Sequence, residues 1–187
     1  MSQKAITIYT PASAAPHITA ADDAFIYDSM LGNQSGILGN LICEKIDDNT
    51  VRLSGGGASN QGYILRIPAG ESEDLTITSG GAGTKRYDLV IAEFTKGGGD
   101  VADAHIFKVI SGTASVSPSD PALITSTLLN TGDVNQVALF RVILDGTEIS
   151  TVEPIASSDP QNHGRTITTG ATEPANPSKG DIWIVTE

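Results

Sequence analysis

Val137-Ala138-Leu139-Phe140-Arg141-Val142-Ile143-Leu144-Asp145-Gly146-Thr147-Glu148-Ile149 is the stretch on which the fold class turns. Every residue from Val137 to Leu144 except Arg141 is apolar, on odd and even positions alike. A strand written this way is apolar on both faces and belongs in the middle of a sheet, covered on either side. Asp145-Gly146 then separates it from a second run, Thr147 to Pro154. Asp-Gly between two such runs favours a two-residue type I′ hairpin, which needs φ > 0 at both central residues. Leu89-Val90-Ile91-Ala92-Glu93-Phe94 has the same two-faced character and predicts a second central strand.

Outward from these two strands, segments of five to ten residues alternate with turn chemistry, which predicts strands over 37–46, 50–54, 61–67, 73–78, 86–95, 103–111, 136–145 and 147–154. In Thr50-Val51-Arg52-Leu53-Ser54 apolar and polar residues take opposite faces. Tyr63, Leu65 and Ile67 share a face, and so do Leu75 and Ile77, as expected of half-buried antiparallel strands. Glycine clusters at Gly55-Gly56-Gly57, Gly80-Gly81-Ala82-Gly83 and Gly97-Gly98-Gly99 read as loops. Residues 112–135 form a long Ser/Pro/Asp/Thr-rich connection of the kind that covers a barrel end or contacts a neighbour, with room for a short helix around Pro121–Asn130.

The ends differ from this middle. Residues 4–10 alternate and predict a short strand, followed by breakers from Pro11 to Pro16. Thr19-Ala20-Ala21-Asp22 resembles a capping box and predicts a helix from Ala20 to about Met30. Its pairs Ala21/Phe25 and Ile26/Met30 lie on different faces, so its amphipathy is weak. After a linker-like 157–164, a strand at Arg165–Thr169 and another at Gly180–Val185 flank a Pro-rich turn. The expected fold is all-β, an antiparallel barrel or sandwich with one short N-terminal helix and a small C-terminal β-hairpin. It divides into an N-terminal arm (1–35), a main β domain (36–156), and a linker with a C-terminal docking hairpin (157–187).

The chain has 187 residues and a net charge of −11. Its basic residues are scattered, with Lys85-Arg86 the nearest approach to a patch. That disfavours nucleic acid and anionic membrane surfaces, which are gripped by clustered Lys and Arg. No apolar run approaches the ~20 residues of a spanning helix. The N-terminus lacks a secretory signal's apolar stretch, so the chain is expected to be made and kept in a cytosol, or released from it by lysis. The lone Cys43, in Leu41-Ile42-Cys43, reads as a small buried hydrophobe.

Constellations for chemistry are wanting. Gly80-Gly81-Ala82-Gly83-Thr84-Lys85 has the wrong order for a phosphate loop, which needs Gly-Lys followed by Ser or Thr. Lys85 also stands where a glycine-rich calcium repeat would have its Asp. Gly98-Gly99-Asp100 with Asp103 reads as a solvated turn. Gly32-Asn33-Gln34-Ser35-Gly36 is not a nucleophile elbow. His17, His105 and His163 lie in three separate segments without metal-ligand spacing, His105 as a surface or edge residue. The expectation is no catalytic residue, no cofactor and no metal. Arg86 and Asp88 point to one face just before the most buried run. They read as a charge-assisted network that sets the strand's register, with a ligand site as the alternative. Trp183, the only tryptophan, suits packing against protein or stacking on a glycan.

A series of segments carries a resemblance. It comprises Ala15–Asp23, Gly36-Ile37-Leu38-Gly39-Asn40, Asn49–Leu53 and Gly55-Gly56-Gly57 with Gly62. It continues with Arg86–Ala92, Phe107–Gly112, Asp120–Leu123 and Val137–Asp145 running into Gly146–Ile149. The series resembles tail and baseplate proteins of phages and prophages of Gram-positive bacteria, in the N-terminal β domains of tail-tip or receptor-binding components. Thr172–Trp183 is similar to short Pro…Gly-Asp-x-Trp modules of tail fibres. The resemblance implies a non-enzymatic structural protein of the virion. It would be a homo-oligomer, a trimer by preference, joined to other tail or baseplate proteins and linking the tail to host-attachment parts. The alternative is a domain that binds cell-wall carbohydrate for host adsorption.

Overall fold

The computed structural model describes residues 18–156, 167–170 and 182–185. The expected strand at 4–10, the linker at 157–164, His17 and His163 lie outside them. The described chain is mostly β, with one helix α1 (Ala20–Met30). The strands are β1 (Gly36–Asp47), β2 (Thr50–Asn60), β3 (Tyr63–Arg66), β4 (Ser72–Thr76), β5 (Lys85–Thr95), β6 (Ala104–Ile110), β7 (Val134–Asp145), β8 (Glu148–Pro154), β9 (Ile167–Gly170) and β10 (Ile182–Val185).

Strands β1 to β8 form two antiparallel sheets. In the first, β2 pairs with β1 on one side; on the other it pairs with β3 through Gly57–Asn60 and with β4 through Thr50–Ser54. The second has the order β6-β5-β7-β8, which puts the two doubly apolar segments on its inner strands. The sheets share one core. Ile37, Leu41, Val51, Leu53, Ala58, Ile67 and Ile77 meet Val90, Ala92, Phe107, Leu139, Phe140, Val142, Leu144 and Ile149 across it. Burial of each large aliphatic side chain there stabilises the fold by about 1.5–3 kcal/mol.

The other face of β5 is covered too. Leu89 and Ile91 are 2% and 0% exposed. Leu89 lies opposite Arg141, and Arg141 holds Asp120 of the 112–133 connection, Nε to Oδ1 at 2.6 Å. The connection is therefore a strap over this face, and the expected helix around Pro121–Asn130 does not form. Its backbone is drawn out along β7: the Gln136 amide donates to the Ile124 carbonyl at 2.9 Å, and the Ile124 and Ser126 amides donate to Gln136 Oε1 and Asn135 Oδ1, each at 2.8 Å. Those bonds use groups that a helix would turn inward on itself.

Gly55-Gly56-Gly57 is not a loop. It lies inside β2, opposite a bulge of β1 between Gly39 and Ile42. A Cβ on Gly56 would stand 2.3 Å from the Leu41 nitrogen, and one on Gly57 2.3 Å from the Leu65 oxygen. Glycine is there because neighbouring backbones pass too close for a side chain. The type I′ geometry also falls elsewhere than expected. Asp145 pairs with Glu148, so the loop is Gly146-Thr147, and of the two only Gly146 has positive φ, at 68°. This is the φ pattern of a type II′ turn. Among the described strand-to-strand turns, Gln61 (50°) and Gly62 (82°), between β2 and β3, have positive φ at both residues.

At the C-terminal end β9 and β10 pair in parallel, Ile182 beside Ile167. This corrects the expected hairpin, which requires antiparallel strands. Parallel neighbours cannot be joined by a two-residue turn.

Candidate functional site

Helix α1 begins as its capping signal predicts. The Thr19 amide donates to Asp22 Oδ2 at 2.6 Å, and the Thr19 hydroxyl donates to the same oxygen at 2.7 Å. The helix sits on the Gln61-Gly62 turn, where a Cβ on Gly62 would fall 1.8 Å from the Ala24 carbonyl oxygen. Ala24 and, just past the helix, Leu31 are its buried apolar contacts, at 2% and 8% exposure. Three larger side chains around that contact stay exposed: Phe25 54%, Tyr27 47% and Met30 65%. A small residue fixes the helix to the body, leaving aromatic and thioether surface free for another molecule.

Arg86 and Asp88 come together as expected of neighbours two apart on β5. Arg86 Nε donates to Asp88 Oδ1 at 2.7 Å and Nη2 to Oδ2 at 2.9 Å. Nη2 also donates to the Thr78 carbonyl and Nη1 to the Ser79 carbonyl at 3.4 Å. The Gly112 amide donates to Asp88 Oδ1 at 3.0 Å. The pair thus ties β5 to the segment after β4 and to the start of the strap. Asp88 is 0% and Arg86 9% exposed. With its charge answered internally, the arrangement is a clamp between segments.

A second polar network has no counterpart in the sequence reading. Asn60 Nδ2 donates to the carbonyls of Ala92 (3.2 Å) and Asn135 (3.0 Å), and Asn135 Nδ2 donates to Asn60 Oδ1 at 2.7 Å. Gln61 Nε2 donates to the Ser126 carbonyl at 2.5 Å and the Leu128 amide to Gln61 Oε1 at 2.8 Å. Gln136 Nε2 reaches Glu93 Oε2 at 2.6 Å. Burial opposes the charge on Glu93, yet Gln136 and Lys108 hold its carboxyl below the ordinary range. These amides stitch both sheets to the strap. The only signal in the sequence was amides beside apolar strand residues, which also describes an exposed edge.

Other single residues resolve as follows. His105 lies on the edge strand β6, half-buried, with its ring 5.7 Å from that of Phe94 at 75°. Its Nε2 is buried without a hydrogen-bond partner, and burial lowers its pKa to about 4. Cys43 is half-buried on β1, where burial, with a contribution from Glu44, raises its thiol to about 12. Trp183 belongs to β10; its side chain lies outside what the structure describes. Among the described residues no three His, Cys, Asp or Glu side chains gather to hold a metal ion, and no helix is long and apolar enough to cross a membrane. No family model matches the sequence, and no curated protein matches it.

Proposed function

We propose that this chain is a structural component of a phage or prophage tail or baseplate, a homo-oligomer, trimeric by preference, that links the tail to host-attachment parts in the virion. The observation that carries the reading is the outward display of Phe25, Tyr27 and Met30 on a helix anchored through Ala24. Side chains of this kind are enriched where proteins meet, and a second copy of the chain supplies the matching surface. The two-sheet body suits a rigid building block, since both faces of its central strand are already filled. The segment resemblance from Ala15 to Ile149 supplies the biological setting.

Sedimentation velocity over a wide concentration range tests assembly, and mass spectrometry of purified virions tests the setting. Multimers in the first and the chain among virion proteins in the second are the expected results. A strictly monomeric species at high concentration contradicts the proposal, as does a chain absent from virions of a strain that makes it.

A further inference from the structure

Between the two sheets runs a seam where β1 meets β8. At one end it is stapled, with Lys45 Nζ donating to the Ile149 carbonyl at 2.8 Å and the Ile149 amide donating to the Asp48 carbonyl at 3.4 Å. Toward the start of β1 it opens into a groove of about 330 Å³ lined by Ile37, Leu41, Ile42, Cys43, Phe140 and Pro154, with Glu44 beside them. An apolar cavity of about 150 Å³ takes a benzene ring, so this groove has room for two branched aliphatic side chains. Since β1 is the edge strand of its sheet, an apolar groove lies alongside a strand edge. That combination is what an added strand needs: main-chain partners for affinity and pockets for alternate side chains.

The chain carries a segment with the matching pattern outside the described residues. In Lys4-Ala5-Ile6-Thr7-Ile8-Tyr9-Thr10 a period of two places Ile6 and Ile8 on one face. The first seventeen residues contain Lys4 and no Asp or Glu, so all 22 acidic residues lie beyond them. The segment's charge is opposite to that of the body and of Glu44. It joins Ile18 through residues 11–17, a stretch that spans at most roughly 25 Å. Pro11 and Pro16 in that stretch disfavour a helix that would continue α1 backward, so the sequence there suits a spacer.

We propose that residues 4–10 of a neighbouring copy lie as a strand along β1 with Ile6 and Ile8 in this groove. The inference rests on the assembly reading and adds to it a second contact, separate from that of α1. To test it, full-length chains with p-benzoylphenylalanine at Ile8 are mixed as light and heavy-nitrogen copies, irradiated and digested. Photoproducts joining residue 8 to peptides containing 37–44, 140 or 154 in mixed light–heavy pairs are expected. The same probe at Thr7, on the opposite face, is expected to miss the groove. Groove photoproducts only within one isotopic form overturn the neighbour's arm, and photoproducts elsewhere overturn the groove. Sedimentation of the unmodified chain separates the two claims: multimers without groove photoproducts sink the arm alone, and monomers sink assembly with it.

Discussion

Arg86 and Asp88 face each other inside the sandwich in a two-point clasp, with Nε–Oδ1 at 2.7 Å and Nη2–Oδ2 at 2.9 Å. The same two side chains hold Thr78, Ser79 and Gly112, so one ion pair joins three successive segments of the chain. Breaking one partner strands a buried charge, whereas removing both leaves an apolar gap. Arg86→Met is expected to destabilise by about 3–5 kcal/mol, read by urea unfolding. Arg86→Met with Asp88→Leu is expected to cost less than Arg86→Met alone. A double variant as damaged as the single one would contradict the clamp.

His105 makes a pH prediction. Its folded pKa, about 4, lies below the unperturbed value of 6.5, so between these values the unfolded chain binds a proton that the native chain does not. Stability is then expected to fall as pH drops from about 6.5 toward 4, with no further loss from this residue below that. The imidazole is partly solvent-exposed, which limits the effect to about 2 kcal/mol. Unfolding at pH 7 and at pH 4.5 of wild type and His105→Phe checks it: the difference between the two pH values should shrink in the variant. An equal difference in both proteins would show that other groups carry it.

How much of this was legible follows from the range of the forces involved. Leu89–Phe94 and Val137–Leu144 announced the inner strands because burial on both faces is written into consecutive residues. Thr19 and Asp22 marked the helix start because a cap is made three residues away. Gly55–Gly57 misled because a glycine that admits a passing backbone looks, in one dimension, like a glycine in a turn. The strap's extended course depends on Asn135 and Gln136, far from any helix signal within 121–130. Parallel pairing of β9 and β10 leaves no local mark at all. The exposed display of Phe25 and Met30 was foreshadowed by the helix's weak amphipathy, but which face is free depends on Gly62.

Cys43 sits in the proposed groove with its thiol raised to about 12. Nucleophilicity follows the thiolate fraction. Its alkylation by iodoacetamide at pH 8 is therefore expected to be on the order of 100-fold or more slower than that of a free thiol, and to become fast on unfolding in urea. Rapid labelling of the native protein, timed by mass spectrometry, would contradict this environment for β1.

Gly62 and Phe25 separate the anchoring of α1 from its use. A methyl on Gly62 would fall 1.8 Å from the Ala24 carbonyl oxygen, at a residue whose φ is +82°. Gly62→Ala is therefore expected to loosen α1 from the body, at a cost of about 2–4 kcal/mol from strain and lost packing. Hydrogen exchange across 20–30 should accelerate. Phe25→Ser with Met30→Ser alters only side chains that are 54% and 65% exposed, so the melting of the isolated chain should move little, within about 0.5 kcal/mol per site. Assembly should weaken by at least about tenfold, the equivalent of 1.4 kcal/mol, when followed by sedimentation equilibrium. An unchanged association constant in the double Ser variant, with α1 still protected from exchange, would remove Phe25 and Met30 from the interface and leave the β1 edge to carry it.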